Sequence, residues 1–184
     1  MYAGHFAAGL AIKASVPRAP TWGLLLGVGV LDLLFGPFVL AGIERASLTP
    51  GTSPGFSLDY IDWSHSLAMS LVWAIMYGVL FARQGRAVAV AMGVAVFSHF
   101  GLDLVMHPAD LALWPNAGIH LGFGLWRKLP TGWWFVELAV IAAGLSYYRH
   151  RSRTDRSFGH RALAVTLVVV ALHIFNSPWL ARTR

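Results

Sequence analysis

The run AVAVAMGVAVFSHFGLDLV, Ala87–Val105, decides how the rest of the chain is read. It holds no Lys, Arg or Glu. As a helix rising 1.5 Å per residue it would be ~28 Å long, close to the ~30 Å hydrocarbon core of a bilayer. Two of its groups do not belong in hydrocarbon, His99 and Asp103. They stand four residues apart, so a helix puts both on one face. The stretch is therefore a membrane-span candidate and a candidate site at once.

Four further stretches reach span length by the ~17–25-residue rule: Thr21–Ile43, Ser64–Ala82, Thr131–Tyr148 and Ala162–Leu180. Ahead of them, Ala3–Val16 is apolar but only ~21 Å long as a helix. It reads as a short re-entrant or buried helix that Pro17 and Pro20 end. Glu44–Trp63, with Pro50, Gly51, Pro54 and Gly55, reads as a loop, as does His107–Pro130. Arg149–Arg161 reads as a basic connector. The expected fold is all-α: a polytopic helical membrane protein with about five transmembrane helices plus the short N-terminal helix, one domain over residues 1–184.

Composition points the same way. The chain is 57% hydrophobic and 12% charged, against ~25% charged in an average soluble domain. The net charge of +6 does not imply a nucleic-acid partner, because its Lys and Arg cluster beside apolar runs. The partners implied are membrane lipids. With no cysteine, disulfides and thiolate metal sites are excluded. Lys13 and Arg18 follow the first apolar stretch instead of preceding it, which argues against a cleaved signal peptide. Five crossings would put nine basic residues on one side (Lys13, Arg18, Arg83, Arg86, Arg149, Arg151, Arg153, Arg156, Arg161) and five on the other (Arg45, Arg127, Lys128, Arg182, Arg184). The positive-inside rule makes the first side cytoplasmic in a bacterial inner (plasma) membrane.

Ionisable groups inside a span are costly and suggest function. Asp32 lies mid-span and Glu137 about two turns into its own. His65 opens a span just after Asp62. The same topology gathers Asp62, His65, Asp103, His107 and Glu137 toward the extracytoplasmic end, and His5 joins them if the first helix starts there. Histidine with carboxylate suits Zn, Mn or Fe. His5, Asp32, His65, His99, Asp103 and His107 are the candidate ligands, enough for one or two ions. His107 would lie ~12 Å from His99 along a continuous helix, so it shares an ion with His99 only if the helix ends and folds back. Asp62 or Glu137 is the expected proton acceptor. His150 and His160 read as solvated, His173 as an interhelical contact, His120 as a loop residue, and Asp59 and Asp110 as turn or cap residues.

Gly4-His5 with Gly9, Asp32 at an apolar run, Ser64-His65-Ser66, and Ser98-His99 through Asp103 together resemble the bacterial inner-membrane family of membrane-bound metal-dependent hydrolases. The resemblance covers most of the chain. The His99/Asp103 pair is also similar to the zinc phospholipase C pattern, in which one helix supplies His and Asp four apart. The family resemblance implies a hydrolase with ligands at His5, Asp32, His65, His99 and Asp103, to which His107 and Glu137 are added. The chain departs from many relatives at Leu31-Asp32-Leu33, where they carry Pro-Asp-x-Asp. The expected function is metal-dependent hydrolysis of a lipid or lipid-linked phosphoester, or of an amide. The alternatives are an ion- or proton-coupled transporter and a non-catalytic, metal-stabilised membrane protein. A transporter should carry polar groups through both membrane halves and internal repeats. This sequence has neither.

Overall fold

A computed structural model describes residues 2–49, 56–129, 131–151, 158–175 and 177. Pro50, Gly51, Pro54 and Gly55, the middle of the basic connector, the end of the last apolar stretch, and Arg182 and Arg184 lie outside them.

The described helices are α1 (Ala3–Ser15), α2 (Thr21–Gly27), α3 (Val30–Leu40), α4 (Asp62–His65), α5 (Leu67–Leu80), α6 (Arg86–Met106), α7 (Leu125–Lys128), α8 (Gly132–Arg151) and α9 (Phe158–Phe175). The chain is not purely helical. Each expected loop contains a small antiparallel ribbon: β1 (Arg45–Leu48) with β2 (Phe56–Tyr60), and β3 (Leu111–Ala112) with β4 (His120–Leu121).

Five transmembrane helices are not what the chain forms. Among the described residues one helix, α6, is long and apolar enough to cross a membrane. The stretch Thr21–Ile43 breaks at Val28–Gly29 into α2 and α3, bent by 48°. The stretch Ser64–Ala82 is divided at Ser66, whose hydroxyl accepts from the Met69 amide and caps α5. Helix α5 itself has 14 residues, only ~21 Å of helix. α8 has the length but carries Glu137 and ends in Arg149, His150 and Arg151. In α9 the apolar part is Ala164–Phe175. An uncharged run in the sequence sets an upper bound on helix length, and caps, breaks and polar residues shorten it.

Two helix pairs frame the site. α5 and α6 form an antiparallel hairpin whose backbones nearly touch. A Cβ on Gly78 would stand 2.8 Å from the Ala89 carbonyl oxygen, and one on Gly93 would stand 2.9 Å from that of Ala74. On the other side α1 lies against α8, where a Cβ on Gly144 would meet the Ala7 carbonyl oxygen at 2.7 Å. The larger core joins α2, α3, α5 and α6 through Leu24, Leu31, Ala74, Tyr77, Met92 and Val96. The second joins α1, α8 and α9 through Ala7, Leu10, Ile141, Leu145 and Val169. α1 also packs on α6 and α2, which brings His5 to the face of α6 that carries His99 and Asp103. The chain leaves α1 through a turn tied by Lys13, whose ammonium donates to the carbonyls of Pro17 and Ala19.

Candidate metal centre

Asp103 is the hub. Its Oδ1 lies 3.2 Å from His5 Nε2. Its Oδ2 lies 2.9 Å from His99 Nε2, 3.7 Å from His107 Nε2 and 3.9 Å from His65 Nε2. Asp32 closes the group from α3, with Oδ1 3.5 Å from His65 Nε2 and 3.6 Å from His99 Nε2. All six ligand-type residues named from the sequence thus stand in one cluster, drawn from α1, α3, α4, α6 and the residue just after α6. Two triplets, His5/His99/Asp103 and Asp32/His65/His99, each place one donor atom apiece within 4.8 Å of the other two.

Local structure explains each position. The stretch that begins α3 puts Asp32 in its first turn, where a carboxylate is favoured by the helix dipole. His99 and Asp103 lie on one face of α6. α6 ends at Met106, and His107 leaves it with extended backbone, φ −67° and ψ 146°. That is the fold-back which sharing with the rest of the cluster demands, and the residue before Pro108 is biased toward it. His5 stacks flat on His99, with ring centroids 3.9 Å apart.

The outward-facing nitrogens are held as well. His99 Nδ1 donates to the carbonyl oxygen of Val28 at 2.7 Å. His107 Nδ1 pairs with Asp110 Oδ1 at 3.0 Å, and the Trp126 ring lies over the imidazole at 4.5 Å. His65 Nδ1 lies 2.6 Å from Ser64 Oγ, which in turn meets the Glu44 carboxylate. With Nδ1 so engaged, each of these three rings turns its Nε2 toward the cluster. This is the arrangement in which histidine ligates metals. His5 differs: its buried Nδ1 has no hydrogen-bond partner among the described residues. It sits on α1, far too short to cross a bilayer, and burial, with the neighbouring His99, lowers its pKa to about 3. His5 is thus neutral, the form that binds metal.

The donor set fits a divalent transition ion. Ligand atoms ~2.0–2.2 Å from zinc at tetrahedral angles stand ~3.3–3.6 Å apart; the two Asp32 separations, 3.5 and 3.6 Å, fall in that range, and those of Asp103, from 2.9 to 3.9 Å, lie on either side of it. Nitrogen and carboxylate oxygen suit Zn, Mn or Fe. The buried His/Asp groups can hold a metal ion.

The two acids expected to accept a proton have other partners. Asp62, buried at the start of α4, takes the Asn116 amide on Oδ2 at 2.8 Å. Glu137, fully buried on α8, takes the Gly4 amide on Oε1 at 3.0 Å, and its Oε2 stands 3.5 Å from His173 Nδ1. Residue types alone do not reveal Glu44 or the Val28 carbonyl, and they make Asp110 a turn residue. Glu44 is 20 residues from its partner Ser64 and Val28 acts through its main chain, so spacing carries no signal of them, whereas the three-residue spacing of His107 and Asp110 could have paired those two.

No family model, curated protein or solved structure matches the chain.

Proposed function

We propose that the protein is a metal-dependent hydrolase that cleaves a phosphoester of a lipid or lipid-linked molecule at a membrane. The observation that carries catalysis over a purely structural ion is the uneven burial of the donors. The side chains of His5, His65, His99, Asp103 and His107 are 1–5% exposed, whereas that of Asp32 is 53% exposed. Structural metal sites are closed, and catalytic ones keep a position open to water or substrate. Here the cluster opens at Asp32.

Bound in this cluster, a divalent ion would supply an acidified water and polarise the phosphoryl oxygen. The chain does the rest. His5, His99 and Asp103, or Asp32, His65 and His99, would hold the ion, and His107 stands against Asp103 Oδ2. Asp32, at the opening, can bind the ion or accept the proton of the attacking water. The same parts would cleave an amide. A lipid substrate is supported by exposed apolar side chains on the helices around the centre: Leu33 and Leu40 on α3, Leu71, Ile75 and Val79 on α5, and Val90 and Val94 on α6. Apolar surface of this extent marks contact with lipid or a partner. Kinship with the inner-membrane metal-dependent hydrolases belongs to the same proposal.

The test uses protein purified in detergent and loaded with Zn, Mn or Fe(II). Phosphate release is followed from phosphatidic acid in mixed micelles and from p-nitrophenyl phosphate, with an acyl-amide lipid as the amide probe. Turnover should favour the lipid phosphate, fall at least ~100-fold on chelation, and be lost in Asp103→Asn. Equal background rates in wild type and Asp103→Asn on every probe would end the hydrolase reading.

A further inference from the structure

Glu44 stands between exposed neighbours, Ile43 and Arg45, yet it is itself 1% exposed. Burying a carboxylate is costly unless its oxygens are hydrogen-bonded. Among the described residues its hydrogen bonds all go to Ser64. The Ser64 amide donates to Oε1 at 2.7 Å, and the Ser64 hydroxyl reaches Oε1 at 2.9 Å and Oε2 at 2.7 Å. Ser64 is fully buried, and its Oγ lies 2.6 Å from His65 Nδ1.

We infer that Glu44 is a positioning residue for the metal centre, acting through Ser64 on the tautomer and orientation of His65; this rests on the metal-site reading above. A serine hydroxyl is ambivalent, able to donate to an imidazole nitrogen or accept from it. The other two oriented rings have no such ambiguity, since Val28 offers a carbonyl and Asp110 a carboxylate. For His65 the choice is made one bond further out. The Ser64 hydroxyl has two acceptors that cannot donate, the Ile61 carbonyl at 3.4 Å and the Glu44 carboxylate at 2.7 Å, and the shorter contact to the charged group takes its single proton. Ser64 Oγ must then accept from His65, which fixes the proton on Nδ1. The Nε2 lone pair is left facing Asp32 Oδ1 at 3.5 Å and Asp103 Oδ2 at 3.9 Å. Without Glu44 the ring can carry its proton on Nε2, where it would donate to Asp32 and could not ligate.

The same geometry removes a competing reading. Ser64, His65 and Asp32 have the atoms of a nucleophile, base and orienting acid. A nucleophilic serine must be reachable, and Ser64 is fully buried with its hydroxyl proton held by Glu44.

The experiment measures two quantities on the full chain in detergent. One is the His65 tautomer in metal-free protein, from long-range proton–nitrogen correlation spectra of ¹⁵N-histidine-labelled samples. The other is Zn(II) affinity by competition with a chromogenic chelator. Wild type should show the Nδ1–H form. Glu44→Leu, which removes the acceptor, and Ser64→Ala should each lose that preference and bind Zn(II) about 10–100-fold more weakly, the range typical of lost outer partners. The double variant should be no worse than either single one, and Ser64→Thr, which keeps the hydroxyl, should restore both readouts. Helix content and unfolding temperature identify any variant that fails to fold, and Ser64→Ala then stands in for Glu44→Leu. An unchanged tautomer together with affinity within twofold of wild type would overturn the role of Glu44. Failure of wild type to bind Zn(II), Mn(II) or Fe(II) would overturn the metal reading, while the tautomer would still judge the Glu44 contact.

Discussion

Nδ1 of His99 and the carbonyl oxygen of Val28 are 2.7 Å apart, and they meet at the C-terminal cap of α2. A helix end leaves its last carbonyls without intrahelical partners. The break between α2 and α3 supplies one of them to a ligand histidine and starts a new helix whose first turn carries Asp32. The interruption that prevents Thr21–Ile43 from being one straight rod thus also builds part of the site.

The first prediction concerns metal content. Purified protein should carry at least one Zn, Mn or Fe per chain by elemental analysis. His99→Ala and Asp103→Asn should each lose most of it, since His99 belongs to both donor triplets and Asp103 faces four histidines. His173→Ala, which alters a ring against Glu137 and Trp134, should not. Stoichiometry unchanged in Asp103→Asn would remove the centre.

Glu137 separates support from chemistry. Glu137→Gln keeps an oxygen for the Gly4 amide and should retain metal with little loss of stability. Glu137→Leu leaves that buried amide unpaired and should lower stability by about 1–3 kcal/mol, read as unfolding temperature in detergent. If Glu137→Gln instead keeps its metal but loses turnover by ~10²–10⁴, Glu137 is the proton acceptor after all. Asp62→Asn is compared in the same assay.

The extracytoplasmic side expected from the sequence makes a labelling prediction. Ser47 is exposed on the β1–β2 ribbon, which adjoins the site through Glu44, and Gln84 is exposed in the turn between α5 and α6, beside Arg83 and Arg86. Basic residues favour the cytoplasmic side. In this cysteine-free chain, a cysteine at Ser47 should react with an impermeant thiol reagent in intact cells, and one at Gln84 only after lysis. The reverse pattern would place the centre on the cytoplasmic side.

Packing of the α5–α6 hairpin is the fourth test. Gly93→Val would drive a side chain into the Ala74 carbonyl and should cost about 1–3 kcal/mol. At Gly101, where a Cβ would meet nothing within 4 Å, Gly101→Ala should be tolerated. Equal unfolding temperatures for the two variants would contradict the close approach.

The site is more legible in the sequence than the architecture. His99 and Asp103 share a face because helical spacing dictates it, and ligand-type side chains in apolar runs stand out singly. The number of crossings is not legible, because it depends on where Gly29 and Ser66 interrupt otherwise uniform apolar runs, and neither is unusual within its own run. The ribbons escape notice because Pro and Gly mask a loop's strand content. Glu44 escapes it because it is 20 residues from Ser64 in the chain and follows an apolar run as any boundary acid would.

The stacking of His5 on His99 has a consequence for biogenesis. His5 is synthesised before the two residues it touches, His99 and Asp103, which emerge only after almost a hundred further residues. Closing a loop of that size has a length-dependent entropic cost of about 4 kcal/mol, so a nascent fragment that holds only His5, Asp32 and His65 should be a poor chelator. Ion capture would then come late, once α6 has docked against α1, and a loaded centre would report that both halves of the polypeptide have found each other.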